Sequence, residues 1–330
     1  MVIDGPPPFR PPATRAAWRR HRATTLRVLA RLMGTVAPRP RPVRARRVAR
    51  RGERYYVRED LRLDAGDGTG IPAVLLLPRH GRAPYPAVLY HHSHWGDYAT
   101  GLEELFQPWP VRETPAVALT RRGYAVFAID AFAFGARQGR GPGGPRERGR
   151  AEELSLAKLF LWQGTSLWAM MLRDDRIALD YLTARREVDA RRIGATGMSM
   201  GSTRSWWLAA LDERVAVTVA VACLTRYQDL LRARALHRHG IYYYLPGILG
   251  HLDTEAVVSL IAPRPFLAMT GANDGGSPAA GVRAIGRVCA PLWALHGVRR
   301  RFASVLLPRQ GHVYTPAMWR RTIAWFDAHL

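Results

Sequence analysis

Cysteine, lysine and long apolar runs are all scarce in this chain. It has two cysteines in 330 residues, and Cys223 and Cys289 lie far apart in apolar surroundings. Buried thiols are therefore expected rather than a disulfide framework or a zinc motif. No apolar stretch is long enough to cross a bilayer, and the first residues lack the apolar core of a secretory signal. These absences predict a cytoplasmic protein with no membrane span.

Acidic residues are also few, and the excess of positive charge is concentrated at one end. The chain has 49 basic and 26 acidic residues, a net charge of +23, and only Lys158 is lysine. Residues 1–51 carry 14 arginines against one acid, Asp4. Between their proline-rich ends, Ala13–Met33 predicts a basic helix with an apolar stripe.

Two interpretations of this arm are open. In the first, the apolar stripe of the helix packs on the rest of the chain. In the second, the arginines contact nucleic acid, an anionic membrane or an acidic partner. The packing interpretation is favoured, because so extreme an arginine-for-lysine bias is typical of a GC-rich coding genome. Clustered arginine by itself shows attraction to anions without specificity, so nucleic acid is not an expected partner.

The most informative motif is the pentapeptide Gly197-Met198-Ser199-Met200-Gly201. It follows an apolar run typical of a buried strand and precedes a run typical of a helix, which is the context of a nucleophile elbow. The two glycines are needed because a Cβ at either flank of a strained serine would collide with neighbouring backbone. Ser199 is therefore the predicted nucleophile.

A nucleophile elbow requires an acid and a histidine later in the chain. Asp274 lies in a glycine-rich turn after a predicted strand, and His312 follows the last predicted strand. His312 would act as base and then acid, while Asp274 would orient the imidazole. Asp253 and Asp229 are the alternative acids, since both lie between the serine and the histidine.

The oxyanion hole requires two backbone N–H donors. Met200 is predicted to supply one, and Ser93 or His94, in the loop after the third strand, the other. Three histidines in that loop, His91, His92 and His94, raise the possibility of a metal, but no further carboxylate or cysteine ligand follows at suitable spacing. No metal or cofactor is expected. Trp95 and Tyr243 are candidate substrate-binding residues.

Alternating strands and helices predict an α/β fold with a mostly parallel eight-stranded sheet and helices on both faces. We assign residues 1–51 to an N-terminal arm and 52–330 to one catalytic domain, with residues 226–251 as a possible lid or pocket wall. Residues 137–150, rich in glycine, proline and arginine, are predicted to form an exposed loop. The predicted strands are Tyr55–Leu63, Ile71–Leu77, Pro86–His91, Ala125–Asp130, Ile193–Met198, Val215–Val221, Pro265–Thr270 and Ala303–Leu307. The predicted helices besides that of the arm are Thr114–Arg122, Ser166–Ala184, Ser202–Leu211, Ala279–Leu295 and Pro316–Ala328.

Taken together, these segments resemble the α/β-hydrolases of the dienelactone hydrolase and acetyl xylan esterase-like group, within the wider prolyl-oligopeptidase-related superfamily. The resemblance covers nearly the whole chain. It implies an α/β-hydrolase fold and a serine hydrolase, commonly an esterase, with Ser199, Asp274 and His312 at the catalytic positions. The matching segments are the elbow, His91–Tyr98, Arg122–Asp130, Phe134–Arg137, Arg176–Leu182, Glu187–Gly194 and Ile261–Pro265.

The sequence therefore predicts an enzyme that cleaves a small-molecule carboxylic ester through an acyl-serine. A peptidase or an acyltransferase with the same triad is the alternative within the enzyme class. A basic binding protein with a vestigial hydrolase body is the alternative of another class, and the complete set of triad residues argues against it.

Overall fold

The computed structural model describes residues 5–94, 96–109 and 111–330. Its central feature is one mixed sheet of nine strands, counted over these residues, in the order β1-β2-β3-β5-β4-β6-β7-β8-β9. The strands β1 to β3 and β5 pair antiparallel, and from β5 across to β9 all pairs are parallel. The bounds are β1 Ala45–Gly52, β2 Tyr56–Asp64, β3 Gly70–Pro78, β4 Tyr85–His91, β5 Ala125–Ile129, β6 Val188–Met198, β7 Val217–Val221, β8 Phe266–Gly271 and β9 Phe302–Leu307.

Helices cover both faces of this sheet, because strand side chains alternate between two apolar cores. In β4, Ala87 and Leu89 belong to one core, whereas Val88 and Tyr90 belong to the other. Helices α2 and α9 cover the second core, and the remaining helices lie on the first. Their bounds are α1 Arg15–Met33, α2 Pro115–Thr120, α3 Gly149–Trp162, α4 Leu167–Thr183, α5 Met200–Leu211, α6 Tyr227–Arg232, α7 Thr254–Ser259, α8 Ala279–Leu295 and α9 Pro316–His329.

The sheet has nine strands rather than the eight predicted. The additional strand is β1, whose sequence Ala-Arg-Arg-Val-Ala-Arg-Arg-Gly contains no alternation of apolar and polar residues. It is an edge strand held by its ladder to β2 and by ion pairs from Arg47 and Arg50 to Glu59. Because both faces of β1 are exposed, it needs no apolar side, and a charged edge discourages pairing with other chains.

Helix α1 packs on the rest of the chain through its apolar stripe, as the favoured interpretation of the arm predicts. Trp18 and Leu29 are buried in the main core. The Trp18 indole N–H donates to the Ser259 carbonyl oxygen at 3.4 Å, and His21 and Ser259 share a hydrogen bond of 2.9 Å. Among the helices of the described residues, none combines the length and apolar character that crossing a membrane requires. The cytoplasmic location stays a prediction.

Two segments lie outside the regular alternation of strands and helices. Residues 138–148 form a loop, and Gly139, Arg140 and Gly141 donate their N–H groups to the Glu152 carboxylate. The loop is shorter than the predicted 137–150, because Arg137 is buried in an ion pair with Asp174 and α3 already begins at Gly149. Residues 226–251 contain α6 and three short 3₁₀ turns, which are Leu236–Arg238, Ile241–Tyr243 and Ile248–Gly250.

Candidate active site

Ser199 lies at the sharp turn between β6 and α5, where the sequence predicts the elbow. Its backbone φ of 57° and ψ of −117° fall in a region that non-glycine residues rarely adopt, at a cost of about 1–3 kcal/mol. The Ser199 N–H donates to the Val221 carbonyl oxygen at 2.9 Å, which holds the turn against β7. The strain places the hydroxyl at the N-terminus of α5, at the end of the parallel strands.

The glycines at either side of this turn are required by space. A Cβ on Gly201 or on Gly197 would overlap the His91 carbonyl oxygen of the neighbouring strand. That oxygen belongs to rigid backbone, which cannot move aside without disturbing β4.

We therefore expect Gly201→Ala to destabilise the protein by about 1–3 kcal/mol or more through overpacking. Thermal unfolding followed by circular dichroism measures the effect. Gly250→Ala is the matched control, since a Cβ there meets nothing within 4 Å. Equal melting temperatures for the two variants would contradict the steric role of Gly201.

Three predicted residues form one hydrogen-bonded chain. His312 Nε2 lies 3.0 Å from Ser199 Oγ, and His312 Nδ1 lies 2.8 Å from Asp274 Oδ2. Asp274 occupies the turn after β8, and His312 lies in the loop between β9 and α9. Because β6, β8 and β9 run parallel, their carboxyl ends bring these loops to one edge of the sheet.

Asp274 is well suited to hold a charged partner. It is 3% exposed, and its Oδ1 accepts the Gly276 N–H at 2.9 Å. Burial alone would raise the pKa of Asp274, but the hydrogen bond and the positive charge of His312 outweigh it and lower that pKa below its ordinary value. Asp274 is thus ionised at neutral pH.

The two alternative acids have other partners. Asp253 accepts N–H groups of Tyr227, Gln228 and Thr254, and so caps the start of α7. Asp229 pairs with arginine side chains in and beside α6. Of the three candidate acids, Asp274 is the one hydrogen-bonded to His312.

The histidines of the loop after β4 contact different partners. His91 Nδ1 lies 2.8 Å from Ser205 Oγ, and His92 Nε2 accepts the Ala131 N–H at 3.0 Å. The His94 ring instead borders the cleft that contains Ser199 and lies against Tyr242 with 5.5 Å between ring centroids. Within the described residues no group of three metal-ligating side chains is found.

Ser93 and His94 are the alternatives that the sequence allows for the second oxyanion donor, and the hydrogen bonds of Ser93 disfavour it. Its N–H donates to Glu104 Oε2 at 2.9 Å, and its hydroxyl donates to the same oxygen. Glu104 also accepts the Tyr90 hydroxyl at 2.8 Å. The Ser93 N–H, which an oxyanion would need, therefore already has an acceptor. Of the two alternatives, His94 is the one that borders the cleft. Met200 is the residue predicted to supply the first oxyanion donor. It is the buried first residue of α5, and backbone N–H groups in the first turn of a helix have no partner within that helix.

Ser199, Asp274 and His312 line a cleft of about 730 Å³. One wall comes from α3, through Arg150, Glu153 and Leu154, and another from residues 237–244. Residues 237–244 are thus the part of the segment 226–251 that borders the cleft, and the role of the whole segment as lid or pocket wall stays a prediction.

The sequence predicts two substrate-binding residues, Trp95 and Tyr243. Trp95 lies outside the described residues. Tyr243 is 4% exposed and stacks on His239, with ring centroids 4.2 Å apart. Its neighbours Tyr242 and Tyr244 border the cleft instead. The 3₁₀ turn Ile241–Tyr243 directs successive side chains differently, and substrate binding by Tyr243 stays a prediction.

Glu153 and Cys223 also line the cleft, and the sequence did not place either of them there. Glu153 is buried, accepts the Tyr98 hydroxyl at 2.8 Å, and lies 3.5 Å from His94 Nε2. Only the buried Leu156, Ala157 and Phe160, with helical spacing, signal α3 in the sequence.

Cys223 is a second nucleophilic group beside Ser199, with its sulfur 3.5 Å from Ser199 Oγ. Burial, with a contribution from the charge of Asp274, raises the pKa of its thiol to about 12. The thiol is therefore protonated at neutral pH and is a poor nucleophile.

We expect iodoacetamide at pH 8 to modify Cys223 about 10³-fold more slowly than a free cysteine, from the thiolate fraction. Cys289 is buried as well, and burial raises the pKa of its thiol. Intact mass after timed treatment measures the reaction, and urea-unfolded protein, which should take up two labels, is the control. Rapid labelling mapped to Cys223 in the folded protein would contradict this.

The sheet order, the strained serine and its hydrogen-bonded histidine define an α/β-hydrolase. The chain belongs to the dienelactone hydrolase family, whose model matches residues 71–239. It is 36% identical over 312 residues to the Bacillus subtilis (strain 168) protein named "Putative hydrolase YtaP", which covers 94% of this chain and 100% of that protein. The chain is therefore a hydrolase, and the family supports action on ester bonds.

Solved structures agree on the fold. A glucuronoyl esterase from Solibacter usitatus has a TM-score of 0.69 at 17% identity, over 98% of each chain. Acetyl xylan esterase 1 from Thermoanaerobacterium sp. has a TM-score of 0.56 at 18% identity, over 96% of this chain and 94% of its own. These similarities show that the α/β-hydrolase fold extends over nearly the whole chain.

Proposed function

We propose that this protein is a serine hydrolase that cleaves a small-molecule carboxylic ester through an acyl-Ser199 intermediate. The observation that carries the proposal is the hydrogen-bonded chain from Ser199 through His312 to Asp274, built on a strained turn at the end of a cleft. A backbone conformation this strained costs free energy, and such strain is found mainly where a residue has a functional role.

The geometry supports a two-step reaction. His312 Nε2 takes the Ser199 proton as Oγ attacks the ester carbonyl carbon, and then gives that proton to the leaving alkoxide. Water attacks the acyl-enzyme with the same histidine as base, which releases the acid and restores the serine. Ionised Asp274 holds the imidazole with Nδ1 protonated and stabilises the imidazolium.

The developing oxyanion needs two fixed donors. We assign the Met200 N–H and the His94 N–H to this role, with Ser93 excluded by its bonds to Glu104. Glu104 then serves to hold the loop after β4 in place. Every group in this scheme belongs to the chain, so the reaction requires no cofactor.

A fluorophosphonate probe tests the proposal, because it phosphonylates only activated serines. We expect stoichiometric labelling, a modified peptide that maps to Ser199 by mass spectrometry, and loss of short-chain aryl ester turnover in proportion to labelling. Folded protein that neither labels nor turns over any member of an aryl ester series would contradict the proposal.

A further inference from the structure

Helix α3 combines buried carboxylates with exposed apolar side chains, although its buried side also contains Leu156, Ala157 and Phe160. Its two carboxylates, Glu152 and Glu153, are buried, whereas Leu154, Leu161 and Trp162 are 37%, 53% and 91% exposed. A helix on the surface of a water-soluble fold normally shows the opposite arrangement. Three large apolar side chains that the core does not use therefore need another explanation.

These exposed side chains share one face of the helix. Positions 154, 158, 161 and 162 recur at helical spacing, so Lys158 lies between the leucines. Immediately before and at the start of α3, Arg146, Arg148 and Arg150 are exposed. We call these seven residues the outer face of α3: Arg146, Arg148, Arg150, Leu154, Lys158, Leu161 and Trp162.

The acids of this segment do not neutralise the outer face. Glu152 accepts three loop N–H groups, Glu153 accepts the Tyr98 hydroxyl, and half-buried Glu147 accepts the Ser155 hydroxyl at 2.7 Å. Among the described residues, the three arginines and Lys158 of the outer face form no ion pair. The outer face thus presents cations and apolar groups together, with its carboxylates directed inward.

The positive charge of the outer face indicates what kind of partner it would bind. A second copy of this chain carries the same net charge of +23, so self-association through a cationic face is opposed by repulsion. Tryptophan and leucine interleaved with lysine and arginine match the boundary between acyl chains and anionic headgroups. We propose that the outer face of α3 docks on an anionic lipid surface.

This docking would place the cleft at that surface. Arg150 and Leu154 belong both to the outer face and to the lining of the cleft that contains Ser199. Ile241 and Tyr244, across the cleft from α3, are also partly exposed at 36% each. The entrance to the cleft is therefore continuous with the docking face, and it would open toward the lipid.

Vesicle flotation of the full chain tests the proposal. We expect at least tenfold more protein to float with vesicles of 30% phosphatidylglycerol in phosphatidylcholine than with pure phosphatidylcholine, and half-molar salt to reduce binding. The double variant Leu161→Ser/Trp162→Ser should lose at least tenfold of that binding. Both side chains are exposed, so we expect the variant to keep its fold, which its melting temperature verifies.

Val48→Ser is the matched control, because Val48 is an exposed apolar residue, 57% accessible, on the edge strand β1 and not on α3. It should float like wild type. Three results would overturn the proposal. The first is no flotation of wild type with either vesicle, and the second is equal flotation of the double variant, which would place binding on another basic surface such as α1. The third is a Trp162-dependent dimer in sedimentation velocity without vesicle binding. None of these readouts depends on ester turnover, so they stand apart from the proposed function.

Discussion

Ser199→Ala is expected to lower kcat for a short-chain aryl ester by about 10⁴ to 10⁶-fold, since the covalent step then has no nucleophile. The removed hydroxyl is the one that lies 3.0 Å from His312 Nε2. Because alanine leaves the cleft and the proposed oxyanion donors in place, substrate binding should change much less than kcat. Steady-state kinetics of the purified variant, with its melting temperature, measure both effects.

Ser202→Ala is the matched control for that substitution. Ser202 is also a buried serine at the start of α5, but its hydroxyl donates to the Ala222 carbonyl oxygen at 2.7 Å. Losing this hydrogen bond should cost about 1 kcal/mol of stability and leave turnover within about threefold of wild type, because it touches no group that the proposed chemistry uses. A folded Ser199→Ala protein with turnover comparable to Ser202→Ala would exclude Ser199 as nucleophile.

The positions of Ser199, Asp274 and His312 could be predicted, because a short motif or a preceding strand constrains each of them. Gly197 and Gly201 flank Ser199 in sequence, and the parallel order of β6, β8 and β9 fixes where Asp274 and His312 must lie. Each of these positions follows a recognisable apolar strand. The motif and the strand order together are therefore enough to predict where these three residues lie.

The surrounding elements could not be predicted in the same way. Strand β1 has no apolar face and so lacks the alternation that signals a strand. In α3, leucine and tryptophan on the solvent side obscure the helical spacing of Leu156, Ala157 and Phe160. Glu104 lies in the 3₁₀ helix Gly101–Phe106 and accepts the N–H of Ser93, which belongs to the preceding loop. No local pattern announces such a partner, which is why Ser93 and His94 looked equivalent in the sequence.

Asp274→Asn is expected to reduce kcat by about 10⁴-fold, with a small effect on KM. An asparagine amide facing His312 Nδ1 can donate its own N–H there, which favours the tautomer with the proton on Nε2 and removes the base from Ser199. The carboxylate charge that would stabilise the imidazolium is lost as well. A pH–rate profile and kcat on an aryl ester measure the change.

Asp253→Asn and Asp229→Asn distinguish Asp274 from the other acids that the sequence allows. Asparagine is a good helix cap, so Asp253→Asn should retain the start of α7, and both variants should keep turnover near wild type. The pH dependence of stability supplies a second readout. Because folding lowers the pKa of Asp274, its ionised form adds stability above its ordinary pKa of about 4, and that contribution is lost as the pH falls through the lower pKa of the folded state. The difference in unfolding free energy between wild type and Asp274→Asn should therefore shrink in acid. If Asp253→Asn or Asp229→Asn instead caused the 10⁴-fold loss, the role assigned to Asp274 would pass to that residue.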